Sequence, residues 1–358
     1  MEIDRNKPVL VTGGNGYVAS WLVRNLLEEG LEVHATVRNP NDERKVGHLR
    51  RMAQSSAKGR LTLFAADLLK DGSFDAAMQE CELVFHTASP FSIANVADPR
   101  RRFVEPALEG TRNVLRAVER LRQVKRVVVT SSVVAIYGDA VEIRSVPHGV
   151  FDEQCWNTTS SLEHEPYNYS KTLAERAAWD MVRTQSRWEL VVINPTVVLG
   201  PSLTRASESG SMEFMHRFVD GSLRFGAPAL TFGLVDVRDV ADAHVKAGFT
   251  PHASGRHLLL SDTLSMLQIG QILCAHFGSG YPFPRSEAPK ALLWLSAPLL
   301  GITRKFVQRN VGIPIRLDSS YARRDLGVTF RPVEETIVAH FQQMIDDGLL
   351  PDRRSRAK

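Results

Sequence analysis

Cysteine is scarce. The chain of 358 residues holds three, Cys81, Cys155 and Cys274, widely spaced and without a C-x-x-C pair. That excludes a disulfide framework and a cysteine zinc site, and it suits a reducing compartment. No His/Cys/Asp spacing suggests a metal. Long apolar runs are missing too. The most apolar stretch, residues 291–302, is far shorter than the roughly 20 residues that cross a bilayer. Residues 1–7 are polar and lead straight into a strand pattern, unlike a signal peptide. A cytoplasmic protein with no stable membrane span is expected. The formal net charge is only +4. The basic run Arg353-Arg354-Ser355-Arg356 reads as a solvated tail, so no nucleic-acid partner is expected. Internal repeats and low-complexity segments are absent, which excludes solenoids and fibrous arrays.

What is present is ordinary for a globular protein: 43% hydrophobic and 23% charged residues. The length suits one large α/β domain with a smaller lobe. Strand patterns at residues 8–11, 32–37, 61–65, 83–85, 126–130 and 190–193 alternate with helical ones, the longest over 101–122. Such alternation implies βαβ units and a parallel sheet. The expected fold class is therefore α/β, a Rossmann-type doubly wound parallel sheet with a smaller C-terminal substrate lobe. Residues 1–197 form the dinucleotide-binding domain, with 234–250 returning to it. Residues 198–233 and 251–358 form the lobe.

The first strand pattern runs into Thr12-Gly13-Gly14-Asn15-Gly16, and a helix pattern follows at once. A glycine-rich turn between strand and helix is where a dinucleotide's pyrophosphate sits. Gly13 permits the tight turn, Gly16 lets the backbone approach the phosphates, and Ala19 keeps the helix close to the sheet. Thr12, Gly13, Asn15, Gly16, Tyr17 and Val18 are the candidate contacts. No acid stands at the end of the second strand, where an NAD site grips the ribose hydroxyl. Arg38 stands there instead, with Arg44 and Lys45 just beyond. A guanidinium fork fits a 2′-phosphate, so the expected cofactor is NADP(H). Asp67 and Leu68 are placed for the adenine, and Thr87, Ala88 and Ser89 for the nicotinamide side. His86 and His244 read as structural.

Thr130-Ser131-Ser132 ends the fifth strand pattern, on the edge where open parallel sheets bind ligands. Tyr167 and Lys171 are four apart at the start of a helix and share a face. Tyr169 faces elsewhere. Carbonyl reduction needs a hydride, from a cofactor, and a proton. Tyrosine with its reference pKa of about 10 exchanges protons poorly at neutrality, and a nearby ammonium would lower it. Ser132 would hold the carbonyl oxygen.

These motifs resemble the extended short-chain dehydrogenase/reductase family, from about residue 9 to residue 249. Within it they are similar to the dihydroflavonol reductase, cinnamoyl-CoA reductase and aldehyde (methylglyoxal) reductase group. The resemblance rests on VTGGNGY at 11–17, ATVR at 35–38, VFHTASP at 84–90, YNYSKTLAERAAW at 167–179, PTVVLGP at 195–201 and VDVRDVA at 235–241. It implies a Ser132/Tyr167/Lys171 triad and NADPH. It also implies that Lys171 binds the nicotinamide ribose and that Pro195 and Val198 flank the nicotinamide. Thr130, at the carboxyl end of its strand, is a further cofactor-binding candidate. The chain departs from the group at three places. Ala107 stands where many relatives carry an Asn for a proton-relay water. Tyr137 stands where plant dihydroflavonol reductases carry a flavonoid-reading Asn. His164-Glu165-Pro166-Tyr167 replaces the Asn-Trp-Tyr of cinnamoyl-CoA reductases.

The expected activity is reversible NADPH-dependent reduction of an aldehyde or ketone to an alcohol, in a monomer or homodimer. The alternatives are a hydroxysteroid dehydrogenase, a sugar-nucleotide epimerase or dehydratase, and a non-catalytic NADP(H)-binding sensor. Phe91 and Tyr137, with Phe214, Phe218 and Phe225, are candidates to line an apolar substrate pocket. The apolar segment near 288–302 has three special readings, a pocket lid, a dimer face or an interfacial helix, against the default of packing on its own lobe.

Overall fold

Short runs rich in valine make buried strands, because β-branched side chains fit a pleated surface covered on both faces. The structure, a computed structural model, describes residues 1–89, 98–205 and 210–353. β1 (Val9–Thr12), β2 (Glu32–Val37), β3 (Arg60–Ala65), β4 (Leu83–His86), β5 (Arg126–Thr130) and β6 (Glu189–Pro195) follow the six strand patterns. β7 (Val197–Leu199), β8 (Thr231–Asp236), β9 (Gly255–Leu259) and β10 (Asp262–Ser265) come after them. The main sheet has the order β3-β2-β1-β4-β5-β6-β9, and every pairing in it is parallel. The winding direction reverses between β1 and β4, where Val9 lies opposite Leu83 and Thr12 opposite His86. In such sheets the ligand crevice opens beyond the carboxyl ends at this reversal.

The helices are α1 (Tyr17–Glu28), α2 (Glu43–Ser55), α3 (Asp75–Met78), α4 (Glu105–Arg120), α5 (Pro166–Arg183), α6 (Gly210–His216), α7 (Val237–Phe249), α8 (Met266–Phe277), α9 (Lys290–Ser296), α10 (Arg304–Asn310), α11 (Ser320–Leu326) and α12 (Val333–Asp346). Successive strand residues point to opposite faces. Val9 and Val11 meet Leu22 and Leu26 of α1 and Val240 of α7. Leu10 meets Val114 and Val118 of α4 on the other side. The lobe has its own core, in which Met215, Phe218, Leu273 and Phe341 are buried. Its sheet has three strands, β10-β8-β7.

The helix expected over 101–122 divides. Residues Arg100–Val104 form a wider π-type turn before α4 begins. Pro106 explains the break, since it has no N–H to close an ordinary helical turn there. The domain boundaries also shift. Residues 255–259, expected in the lobe, are the edge strand β9 of the main sheet. Their polar members are buried against distant partners: Arg256 reaches Glu175, and His257 reaches Asp325. β8, expected to return to the main domain, pairs in the lobe sheet, although its Val235 reaches the main core, and α7 after it packs on the main sheet.

Candidate active site

The turn after β1 is shaped by two close approaches. Gly13 has φ +65°, and a Cβ there would lie 3.0 Å from Ala88. A Cβ on Gly14 would meet that of Ala35 at 2.8 Å. Backbone bonds lock the turn, with the Gly14 N–H donating to the Thr36 carbonyl at 2.9 Å and Gly16 to Gly13 at 2.8 Å. Gly16 caps α1 without a side chain, and no acid lies in the first turn. The helix N-terminus thus keeps its positive end open toward an anion, and the residues present fit a pyrophosphate.

Two of the expected contacts have their side chains engaged within the protein. The buried Thr12 hydroxyl sits 2.9 Å from His86 Nδ1 and accepts from the Ala88 N–H at 3.1 Å. The Tyr17 phenol donates to the Gly200 carbonyl at 2.6 Å, which ties α1 to the lobe. Asn15 and Val18 are half-buried beside the turn. At the far end, Arg38 is exposed and has no hydrogen bond or ion pair among the described residues. Lys45 is exposed as well, while Arg44 pairs with Asp42 at 3.4 Å. Asp67 is exposed and accepts from the Leu69 N–H, and Leu68 is half-buried against Gly110. After β4, the Thr87 hydroxyl donates to the Thr12 carbonyl, and Ala88 and Ser89 border a small cavity.

That cavity is about 10 Å³, room for roughly one water. Thr130, Ser131, Lys171, Glu175 and Ala107 also line it. Lys171 is buried, and its ammonium donates to the Thr130 carbonyl at 3.3 Å. The Thr130 side chain turns the other way. His244 must donate Nδ1–H to the Val240 carbonyl, so its Nε2 accepts the Thr130 hydroxyl at 2.7 Å. Burial pulls His244 down to about 4 and His86 to about 3, which favours the neutral form of both rings. Ser132 is half-buried at the end of β5 and accepts from the Val134 N–H at 3.3 Å.

α5 begins with Glu165 in a left-handed conformation, φ 54° and ψ 57°, followed by Pro166 in the first turn. Tyr167 follows in the first turn of the helix, 44% exposed, with its ring edge-on to Phe103. Two electrostatic details differ from expectation. The crowding protein raises the Tyr167 phenol above its ordinary value, and no charge acts to lower it. The Lys171 amine itself is pulled down to about 8 by burial, opposed by Glu175.

Glu175 was not among the candidates, although it continues the four-residue spacing of Tyr167 and Lys171. It is buried and receives the Arg256 guanidinium at 2.6 Å, Asn194 Nδ2 at 2.8 Å and the Ser131 hydroxyl. Asn194 also holds the Ser132 carbonyl at 3.2 Å. One buried carboxylate therefore joins the serine strand, β6, β9 and the helix of Tyr167. A second missed cluster lies in front of α5. Buried Asp139 is 2.9 Å from His164 Nε2, 2.7 Å from Arg309 and 2.8 Å from Asn310 Nδ2.

The substrate candidates scatter. Phe91 lies outside the described residues. Tyr137 stacks on Phe151 at 4.5 Å in a buried cluster, with its phenol raised by burial. Phe218 is fully buried in the lobe core with Phe214 against it, and Phe225 is 86% exposed. Packing claims the first three rings, and none of the four is placed by these contacts as a pocket wall. Pro195 is buried at the end of β6, and Val198 is half-buried in β7 just beyond.

Residues 9–258 match the model of the NAD dependent epimerase/dehydratase family. The chain belongs to that family. It is 39% identical to cinnamoyl-CoA reductase CAD2 of Medicago truncatula, over 92% of this chain and 93% of that one. It is 33% identical to tetraketide alpha-pyrone reductase 1 of Arabidopsis thaliana, over 96% of each. The solved structure of yeast methylglyoxal/isovaleraldehyde reductase Gre2 complexed with NADPH superposes with a TM-score of 0.74 at 27% identity, covering 96% of this chain and 100% of that one. The resemblance read from the motifs is thereby established, and the chain is a nicotinamide-dependent oxidoreductase of the carbonyl reductase type.

Proposed function

We propose that this enzyme reduces an aldehyde or ketone to an alcohol with NADPH, reversibly, using Ser132, Tyr167 and Lys171. The observation that carries the reading is the buried Lys171 ammonium, held on the Thr130 carbonyl two residues before Ser132 and one helical turn from Tyr167. NADPH, when bound, supplies the hydride that goes to the carbonyl carbon. The Tyr167 hydroxyl gives its proton to the substrate oxygen. The Ser132 hydroxyl donates a hydrogen bond to the same oxygen and steadies its growing negative charge. The protein crowding the free phenol leaves it above its usual value, so the expected lowering has to come from the Lys171 charge acting in the assembled site, where the ammonium steadies the phenolate left behind. Each pKa unit of that effect is worth about 1.4 kcal/mol. Glu175 keeps the amine protonated against its burial. In the reverse direction, Tyr167 takes the alcohol proton.

Arg38 supports the choice of NADPH, as an unpaired guanidinium at the end of β2 with no acid beside it. Thr36, just before it, is already engaged by the glycine turn. The relatives leave two substrate classes in view, free carbonyls and acyl-CoA thioesters. The replacement of Asn-Trp-Tyr by Glu165-Pro166-Tyr167 favours free carbonyls. The test is NADPH oxidation with aldehydes, diketones, steroids, nucleotide sugars and a cinnamoyl-CoA thioester. Turnover of simple aldehydes or ketones is expected. No turnover across the panel, with NADPH still raising the melting temperature, would leave a non-catalytic binder.

A further inference from the structure

Among the described residues, ten large apolar side chains are exposed, and five of them fall between Leu292 and Leu300. The default of packing on the lobe explains only half of this segment. Leu293 and Ala297 turn inward onto Val307 and Val311 and make a small core. Leu292, Leu295 and Leu299 recur at helical spacing on the other side, and Leu299 is 91% exposed. The segment thus has one satisfied face and one left open.

Charge frames the open face. From residue 288 to residue 317 the chain has five cations, Lys290, Arg304, Lys305, Arg309 and Arg316, and no acid. Arg309 is taken by Asp139, and Lys290 donates to the carbonyls of Gln308 and Val311 at the end of α10. Arg304 and Lys305 remain exposed, with the Arg304 guanidinium 4.5 Å over the Trp294 ring. The acid that feels Lys305 is Glu163, ahead of α5. A second arginine–aromatic pair, Arg224 on the exposed Phe225, sits two residues before Ala227, which pairs with Glu287 just ahead of α9.

We propose that this face docks on a bilayer surface carrying anionic headgroups. The leucines enter the boundary of the acyl chains, the Trp294–Arg304 pair lies at headgroup level, and Arg304 and Lys305 meet lipid phosphates. Leucine and tryptophan on one side with lysine and arginine at the rim is the pattern of an interfacial contact. A second copy is the poorer occupant, because a two-fold contact through this face would bring Arg304 and Lys305 toward their own images. No described helix is long and apolar enough to cross a membrane, and the contact proposed is peripheral.

The test is flotation of the full chain with vesicles of phosphatidylcholine alone or mixed with phosphatidylglycerol. Binding to the mixed vesicles is expected, weakening with salt, and weaker by roughly tenfold on pure phosphatidylcholine. Leu295→Glu with Leu299→Glu should lose binding to both. Arg304→Glu with Lys305→Glu should lose the preference for the anionic lipid by roughly tenfold or more. Circular dichroism melting checks that each variant folds, and the cation pair serves if the leucine variant does not. Failure of the wild type to float with anionic vesicles at low salt overturns the proposal. So does light scattering that shows a dimer split by the leucine substitutions, which would assign the face to a second copy.

Discussion

Replacing Glu175 by Gln should move the alkaline limb of the reductase's pH profile. Lys171 is buried, its amine is held at about 8, and Glu175 is the charge that opposes its burial. The two residues are one helical turn apart, a separation on the order of 6 Å. At an effective dielectric of about 20 this gives about 2.8 kcal/mol, or about two pKa units. Arg256 pairs with the same carboxylate and cancels part of the field, so about one unit is expected. The sign follows from the group. An amine below its usual value loses its proton as pH rises through about 8, and removing the neighbouring negative charge makes that loss come earlier. The assay is kcat against pH with saturating NADPH and a simple aldehyde. Wild type should decline above pH about 8 and the variant above about 7, with the acid side unchanged. Gln keeps the size and an acceptor for Ser131 and Asn194, yet it leaves Arg256 buried without its counter-charge. A loss of stability of about 3–5 kcal/mol accompanies it. The comparison is therefore made well below the variant's melting temperature. An alkaline limb that stays in place in a folded variant would refute the argument, because then either Lys171 does not need its charge or Glu175 does not hold it.

Tyr167→Phe should cut turnover by roughly a hundredfold or more while NADPH still raises the melting temperature, whereas Tyr169→Phe should change kcat little. Arg38→Ala should raise the KM for NADPH by roughly tenfold and leave that for NADH nearly unchanged, and equal use of both cofactors by the wild type would sink the assignment. Arg126→Met probes the frame. Its fully buried guanidinium pairs with Glu189 and reaches the carbonyls of Ala247, Gly248 and Thr250 at the end of α7. Loss of the fork should lower the melting temperature by about 5 °C, read by calorimetry.

The glycine turn was legible because its requirements are local. A positive φ and two close backbone approaches demand small residues, and they stand in one unbroken stretch. The strands were legible because valine-rich runs have little else to do. Tyr167 and Lys171 were legible through the helical repeat, and the same repeat extends to Glu175. That residue was passed over because glutamate on a helix is ordinarily solvated, and the partners that make its burial tolerable, Arg256 with Asn194 and Ser131, are distant in the chain, Arg256 by 81 residues. β9 was hidden for the same reason, since Arg256 and His257 look like surface residues until their acids arrive from other elements. Thr12 and Tyr17 show the converse. They flank the turn in the chain, yet His86 and Gly200 engage their side chains. Phe218 and Phe225 carry the same ring, one buried and one open, and residue type could not separate them.

By itself, the sequence determined the parallel sheet, the glycine turn between the first strand and helix, and the order of serine, tyrosine and lysine along the chain, because each depends on spacing over a few neighbouring residues. The tertiary structure decided which polar groups are buried and by what they are balanced. It joined Glu175 to Arg256 behind Lys171, brought Arg309 to Asp139 before the helix of Tyr167, and left Leu295 and Leu299 facing outward. Burial and pairing are properties of contacts across the fold, and contacts between residues far apart in the chain leave no period to read.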